Sequence, residues 1–217
     1  MTQNTSHAVM AQRREPAHSL DFFPTPPWAT RALCEWLGKL DALHRRSCWD
    51  PACGAGDMAR PLAEYFREVH ASDIHDYDYG FRCDFLLTGG PPKRTDWIIT
   101  NPPFRLAEQF ASTARPLASH GVALLVRTAF LESASRYESL FSTAPPTDIL
   151  QFVERVPMFK GHLNRSGSTA TAYCWLVWDL HNRDRDTRFH WLAPCRKRLE
   201  RDSDYEPVAP LFAGAAE

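Results

Sequence analysis

Short apolar runs of strand length alternate with amphipathic stretches along the first two thirds of the chain. Five runs predict strands, at residues 47–50, 68–72, 82–85, 97–100 and 122–127. Three stretches of helical periodicity predict helices, at 27–37, 58–66 and 106–118. This alternation is typical of a parallel sheet with helices on both faces.

The pattern changes after Pro146. Residues 148–153 and 173–178 predict two more strands, joined by a long polar loop at 157–171. We expect them to form an antiparallel hairpin at the edge of the sheet. A further strand is predicted at 187–192. We expect residues 1–20 to be a flexible polar tail and 21–217 to form one domain.

Composition limits the class of protein. A length of 217 residues with 44% hydrophobic content suits one globular domain, and no apolar run has the length of a membrane span. The polar N-terminus lacks a secretory signal. Six cysteines without a CxxC pair, and scattered histidines, predict reduced thiols in a cytoplasmic protein and no metal site. A net charge of −1 argues against tight, charge-driven binding to bulk DNA.

The segment Asn101-Pro102-Pro103-Phe104 directly follows the apolar run 97–100. An exocyclic amino group on a base ring is a poor nucleophile, because its lone pair is delocalised. An asparagine oxygen and a proline carbonyl can accept its two N–H bonds, while two prolines keep the loop rigid. Phe104 offers a face on which a flipped base can stack. The alternative is an ordinary turn, since Asn-Pro and Pro-Pro dipeptides mark turns in many proteins.

A second segment, Asp50-Pro51-Ala52-Cys53-Gly54-Ala55-Gly56, lies between a predicted strand and a predicted helix. Ligands of doubly wound sheets bind at such carboxyl ends of strands, and glycines let the backbone approach them closely. A Gly-x-Gly turn by itself is a weak signal. The residues of this loop that we assign to a cofactor are Asp50, Pro51, Cys53, Gly54 and Gly56.

In this order, the segments from about residue 21 to 179 resemble those of N6-adenine DNA methyltransferases, especially small phage- or prophage-type members. The resemblance implies a class I S-adenosylmethionine (SAM)-dependent methyltransferase fold. That fold is α/β and Rossmann-like, with a seven-stranded, mostly parallel sheet, an antiparallel terminal hairpin and helices on both faces. It also implies SAM as cofactor, DNA as partner, and Asn101, Pro102, Pro103 and Phe104 as catalytic residues.

Two aspartates at predicted strand ends extend the cofactor assignment. Asp73 is expected to accept the ribose hydroxyls and Ile74 to pack on the adenine ring. Asp84 is expected to accept from the adenine amino group, with Phe85 beside the ring. Each aspartate alone would more often be a helix cap or a solvated turn, so the assignment depends on their succession after the glycine loop.

The segment 21–27 precedes the first predicted helix. Thr25 is a plausible N-cap, which would account for the segment structurally. The resemblance adds a second role, because a Phe-x-Thr-Pro segment closes over the methionine part of SAM in amino-methyltransferases. Phe22, Phe23 and Thr25 are therefore assigned to the cofactor, where an aromatic ring would attract the sulfonium.

Substrate contacts are harder to assign. Site-specific members usually carry a substantial recognition region, and little of this chain remains beyond the predicted strands, so we expect low sequence specificity. Lys160, His162 and Arg165 in the polar loop are candidates for substrate binding. The basic tail is another candidate, with Arg196, Lys197, Arg198 and Arg201.

Other functions stay open at this point. The same loop resembles those of cytosine-N4, ribosomal-RNA guanine and release-factor glutamine methyltransferases. A non-catalytic binding subunit with this fold is a further alternative, although both signature segments are intact here.

Overall fold

The computed structural model describes residues 21–87, 95–182 and 186–206. Ten strands occur there: β1 Ser47–Asp50, β2 Glu68–Asp73, β3 Phe81–Arg82, β4 Thr95–Thr100, β5 Ala118–Arg127, β6 Asp148–Phe152, β7 Met158–Phe159, β8 His162–Leu163, β9 Tyr173–Asp179 and β10 Arg188–Leu192. The α-helices are α1 Pro27–Leu37, α2 Ala59–Leu62, α3 Ala107–Leu117, α4 Ala134–Arg136 and α5 Arg196–Leu199. Short 3₁₀ turns lie at Leu43–Arg45, Thr128–Leu131 and Asp202–Tyr205, and a π-helical turn at Tyr137–Phe141.

Eight of the strands form one sheet in the order β10-β6-β9-β5-β4-β1-β2-β3. Strand β9 runs antiparallel to both of its neighbours, β5 and β6, and every other pairing in this sheet is parallel. Strands β7 and β8 form a separate antiparallel ribbon. The predicted class, an α/β Rossmann-like fold with a mostly parallel sheet, is confirmed, although the sheet has eight strands where seven were expected.

Alternate residues of the central strands bury against opposite faces of the sheet. Trp97, Ile99 and Trp175 pack with α1 in one core cluster. Ile98, Leu124 and Trp178 pack with α3 in the other. Because successive side chains of a strand point to opposite faces, the sheet is the middle layer between these two cores.

Two predicted elements are shorter than expected. The predicted helix at 58–66 is helical only over α2, after which turns bring Phe66 into the core. The predicted strand at 82–85 is reduced to β3, at residues 81–82. The Cys83 N–H still bonds to the Asp73 carbonyl, but the Asp84 carboxylate then accepts the Leu86 N–H, which turns the chain away from the sheet.

The predicted antiparallel pair 148–153 and 173–178 is present as β6 and β9, but it does not form the edge of the sheet. Strand β10 pairs in parallel with β6 and adds an eighth strand outside it. Arg188 and His190 both contact the fully buried carboxylate of Asp148, and these contacts hold β10 against β6. The sequence prediction missed this because the anchor is a pairing between distant residues.

The sequence also led to expectations about the N-terminal tail, the cysteines, membrane spans and metal sites. The predicted tail 1–20 lies outside the described residues. The six cysteines all lie in the described ranges, and none of them forms a disulfide bond. Within the described ranges, no helix combines the length and apolar character that a membrane crossing requires. No cluster of three or more His, Cys, Asp or Glu side chains in the same ranges is arranged to hold a metal ion.

Candidate active site

A cavity of about 450 Å³ opens at the carboxyl edge of the sheet, where β1, β2 and β4 end. Both signature segments reach it, together with the segment before α1. Its lining includes these predicted site residues: Phe22, Phe23, Thr25, Asp50, Pro51, Cys53, Gly54, Asp73, Ile74, Asp84, Phe85, Asn101, Pro102, Pro103 and Phe104. Residues separated by up to 82 positions in sequence therefore converge on one site.

The glycine loop turns sharply beneath this cavity. Gly54 has φ +50° and Gly56 has φ +87°, conformations that favour glycine. The Gly54 N–H donates to the Asp73 carboxylate at 2.9 Å, so the loop is tied to the end of β2. Gly54 lines the cavity, whereas Gly56 does not; a Cβ on Gly56 would instead meet the Tyr79 ring. Gly56 thus serves the packing of the loop.

Asp50 ends β1 and is almost fully buried. One of its oxygens accepts the Thr100 hydroxyl at 2.7 Å, and the other, Oδ2, is buried without a partner among the described residues. Burial raises the pKa of the Asp50 carboxyl to about 7, with the nearby Asp73 and Asp57 charges adding to the rise. A buried unpaired carboxylate oxygen facing a cavity is suited to receive a cationic donor from a ligand.

The loop at residues 101–104 places the Asn101 carboxamide at the cavity. Its amide nitrogen donates to the Phe23 carbonyl at 2.9 Å and contacts the Met158 sulfur at 3.7 Å. Because that nitrogen faces an acceptor, the carboxamide orientation is set, and Oδ1 is buried with no described partner. The oxygen that the sequence analysis expects to accept an amino N–H, Asn101 Oδ1, therefore has no partner within the described residues.

Phe104 follows this acceptor and has several close neighbours. Its N–H donates to the Asp21 carboxylate, which holds the loop to the segment before α1. The Phe23 ring lies 5.1 Å away, centroid to centroid. The guanidinium of Arg127 lies only 3.8 Å from the ring centroid. One face of the Phe104 ring is therefore covered by a cation in this structure.

The segment before α1 closes one side of the cavity. Thr25 is buried and lines the cavity, but it does not cap the helix; Pro26 occupies the N-cap position and Pro27 the first turn. Phe22 packs over the glycine loop, and its carbonyl accepts the N–H of Gly161 in the turn between β7 and β8. The segment before α1 is thus held by both the glycine loop and the β7–β8 ribbon.

At the far end, Ile74 is 48% exposed and lines the cavity, while Phe85 is buried against Trp49 and Phe110. Two lining residues that the sequence analysis missed, His75 and Tyr77, lie two and four residues after Asp73. Their position after an acidic strand end was a usable signal. Asp21, Asp57 and Phe110 also line the cavity, and no local motif marks them.

The predicted substrate residues Lys160, His162 and Arg165 do not line this cavity. His162 lines a second cavity, of about 580 Å³, beside the segment before α1. Arg165 forms an ion pair with Asp202 of the C-terminal segment.

The basic tail folds back onto the body of the protein. Arg196 pairs with Glu200, Arg198 with Glu35 and Arg201 with Glu64. These tail arginines are therefore engaged in intramolecular pairs.

A mostly parallel sheet with reversed strand β9 and a cavity at its carboxyl edge defines the class I SAM-dependent methyltransferase fold, and solved structures share it. One is the methyltransferase subunit of a type I restriction-modification system from Streptococcus thermophilus, with a TM-score of 0.61 and 13% identity; the match covers 84% of this chain and 51% of that one. A proposed RNA methyltransferase from Pyrococcus horikoshii matches with a TM-score of 0.56 and 16% identity, over 76% and 91% of the two chains.

A third match is a proposed class I SAM-dependent methyltransferase from Listeria monocytogenes, with a TM-score of 0.55 and 13% identity, over 82% of this chain and 69% of that one. The chain thus spans about half the length of the Streptococcus subunit. No protein-family model and no curated protein matches the sequence. At these identities the matches establish the fold.

Proposed function

We propose that this chain is a SAM-dependent DNA methyltransferase that modifies the exocyclic N6 amino group of adenine. The observation that carries the proposal is the Asn101 carboxamide. Its residue lines the cavity, its nitrogen is fixed by the Phe23 carbonyl, and its oxygen is buried without a partner in the part of the chain that the structure describes. A preorganised acceptor of this kind stabilises positive charge that develops on an attacking amino nitrogen.

The cofactor assignment rests on the other end of the cavity. When bound, SAM supplies an electrophilic methyl group on a sulfonium. The unpaired Asp50 Oδ2 is suited to accept from its ammonium group, and Asp73 has acceptor capacity left for the ribose hydroxyls. Ile74 and Asp84 line the cavity beyond Asp73, where we assign the adenine ring.

Residues of the loop 101–104 supply the hydrogen-bond acceptors for the target amino group. Asn101 Oδ1 and the Pro102 carbonyl accept the two N–H groups of the amino nitrogen, which favours a pyramidal nitrogen with a free lone pair. The two prolines hold these acceptors in place. Phe104 stacks on the flipped base.

DNA is the substrate we favour. Among the structural neighbours are the methyltransferase subunit of a type I restriction-modification system and the modification subunit of a proposed type I restriction enzyme. Both support DNA over RNA, although the Pyrococcus neighbour is a proposed RNA methyltransferase. The exposed Arg105 and Arg127 lie beside the catalytic loop, and Lys160, His162 and Arg165 remain proposed contacts. Because contacts from these side chains to phosphates position the DNA without reading its sequence, we propose low sequence specificity.

Methyl transfer to a panel of substrates tests this function. The protein is incubated with methyl-labelled SAM and, separately, with plasmid DNA, total RNA and a protein mixture, and digested nucleosides are separated by chromatography. We expect label in N6-methyladenine from DNA. Label found only in RNA or protein would contradict the DNA assignment, and label in N4-methylcytosine would contradict the choice of base.

A further inference from the structure

A small cavity lies behind Phe104. It measures about 210 Å³ and is lined by Pro102, Phe104, Ala107, Val126, Arg127, Ala129, Phe130 and Arg136. Pro102 and Phe104 also line the main cavity, so the two cavities meet at the catalytic loop. The small cavity therefore lies where a base that contacts Phe104 could enter.

Arg127 covers the Phe104 ring on this side. It is the last residue of β5, and its guanidinium carbon lies 3.8 Å above the ring centroid. Its partner in the β5–β9 register is Tyr173. A base and a guanidinium cannot occupy one ring face together, so a base that uses this face must displace Arg127.

The surroundings of Arg127 allow such a displacement. The residue is exposed, and no carboxylate in the described part of the chain forms an ion pair with it. Arg136 lies similarly over Phe130, at 4.0 Å, but it also bonds the Phe130 carbonyl and approaches Glu108. Arg136 is held in place, whereas Arg127 is held mainly by an exposed cation–π contact, which is weak.

We propose, on the basis of the function proposed above, that Arg127 makes access to Phe104 depend on the phosphate backbone of the substrate. Without nucleic acid, the guanidinium covers the ring. A backbone phosphate beside the target nucleotide attracts it through charge-assisted, bidentate hydrogen bonds, which are stronger than the cation–π contact. The ring face is then free for the flipped base. The site thus favours adenine in a polynucleotide over a free nucleoside.

The test compares one single-stranded adenine-containing oligonucleotide with deoxyadenosine, which has no phosphate. For each, KM and kcat are measured at saturating SAM with the wild type, Arg127→Ala and Arg127→Lys. Arg45→Ala is the charge-matched control, because Arg45 is exposed and lies before β1, at the opposite end of the sheet. Thermal unfolding and SAM affinity confirm that each variant is folded.

For Arg127→Ala we expect kcat/KM for deoxyadenosine to rise roughly two- to fivefold, because the ring is uncovered. KM for the oligonucleotide should rise at least about tenfold, because a phosphate contact is lost. Arg127→Lys should keep most of the oligonucleotide affinity, and Arg45→Ala should match the wild type.

Parallel losses with both substrates in Arg127→Ala would overturn the inference, since they indicate a supporting role in packing. Unchanged deoxyadenosine kinetics would overturn it as well. In either case the wild type still methylates the oligonucleotide and the proposed function stands. If the wild type transfers no methyl group to the oligonucleotide, the proposed function fails and the inference fails with it.

Discussion

At the scale of single residues, we propose distinct tasks for two buried oxygens. Asn101 Oδ1 and Asp50 Oδ2 both lack partners among the described residues, and their residues line the same cavity. Buried polar atoms without partners are uncommon in native proteins and suggest an external partner. In our proposal, Asn101 contacts the amino group that receives the methyl group, and Asp50 contacts the cofactor.

The Asn101→Ala variant should bind SAM with nearly wild-type affinity and lose turnover. Its oxygen acts mainly as positive charge develops on the nitrogen, and loss of one such preorganised group typically costs about a hundred- to a thousandfold in rate. Calorimetric SAM titration and kcat measured on DNA separate the two effects. Native turnover in this variant would show that the catalytic loop is misassigned.

Asp50 predicts a pH dependence of SAM binding. Burial raises the pKa of the Asp50 carboxyl to about 7. Between about pH 4 and pH 7 the folded protein without ligand therefore holds a proton on Asp50 that the unfolded chain has lost. This carboxyl therefore contributes stability to the free protein that falls between about pH 4 and 7. A bound ammonium favours the ionised form, so binding releases a proton and affinity should rise from pH 6 to pH 8.

Calorimetry in two buffers with different protonation enthalpies measures that proton release. Asp50→Asn should show weaker SAM binding with a flatter pH profile. If Asp50→Asn retained the wild-type pH slope, another group would be responsible and the assignment of Asp50 would be wrong.

The sequence predicted those site residues that belong to contiguous motifs. Asp50 ends a predicted strand, and Gly54 and Asn101 follow predicted strands, so the fold itself brings them together. Arg127 and Asp21 were missed, because their contacts with Phe104 depend on how distant segments pack. A local pattern contains no information about such contacts.

At the scale of elements, the glycine loop and the segment before α1 act as a pair. A Cβ added to Gly54 would lie 2.5 Å from the Phe22 ring. Gly54 therefore allows Phe22 to cover the cavity. This differs from the expectation that Gly54 mainly leaves room for the cofactor.

Gly54→Ala should weaken SAM binding by displacing Phe22. Gly161→Ala is the matched control, because Gly161 also has a positive φ, +81°, and no described residue lies within 4 Å of an added Cβ. An alanine there still has the N–H that bonds the Phe22 carbonyl. Both variants should lose about 1 kcal/mol of stability from the backbone conformation. Urea unfolding and SAM titration check this, and equal SAM affinities in the two variants would contradict the role of Phe22.

Elements differ in how far the sequence predicts them. Helix α1 has the predicted bounds, since a proline starts it and its apolar face is continuous. Strand β10 was predicted to exist, but its place outside β6 follows from Asp148, which binds Arg188 and His190. Local periodicity predicts an element, whereas distant side chains determine its neighbours.

At the scale of the whole molecule, charge limits the mode of DNA binding. Net charge is −1, and the tail arginines are paired with acids. We expect only about three or four phosphate contacts, and so a salt dependence with a log–log slope on the order of −3. Fluorescence anisotropy with duplex DNA at several salt concentrations measures it. A slope near zero, or one several times steeper, would contradict this surface assignment.

The central claim is that the cavity at the carboxyl edge holds SAM with its methyl group facing Asn101. A crystal structure of the protein with S-adenosylhomocysteine, the demethylated product, tests it most directly. We predict density for this ligand in the 450 Å³ cavity, with its amino group at Asp50, its ribose at Asp73 and its sulfur facing Asn101. Ligand density at another site, or an empty cavity at saturating ligand, would contradict the account.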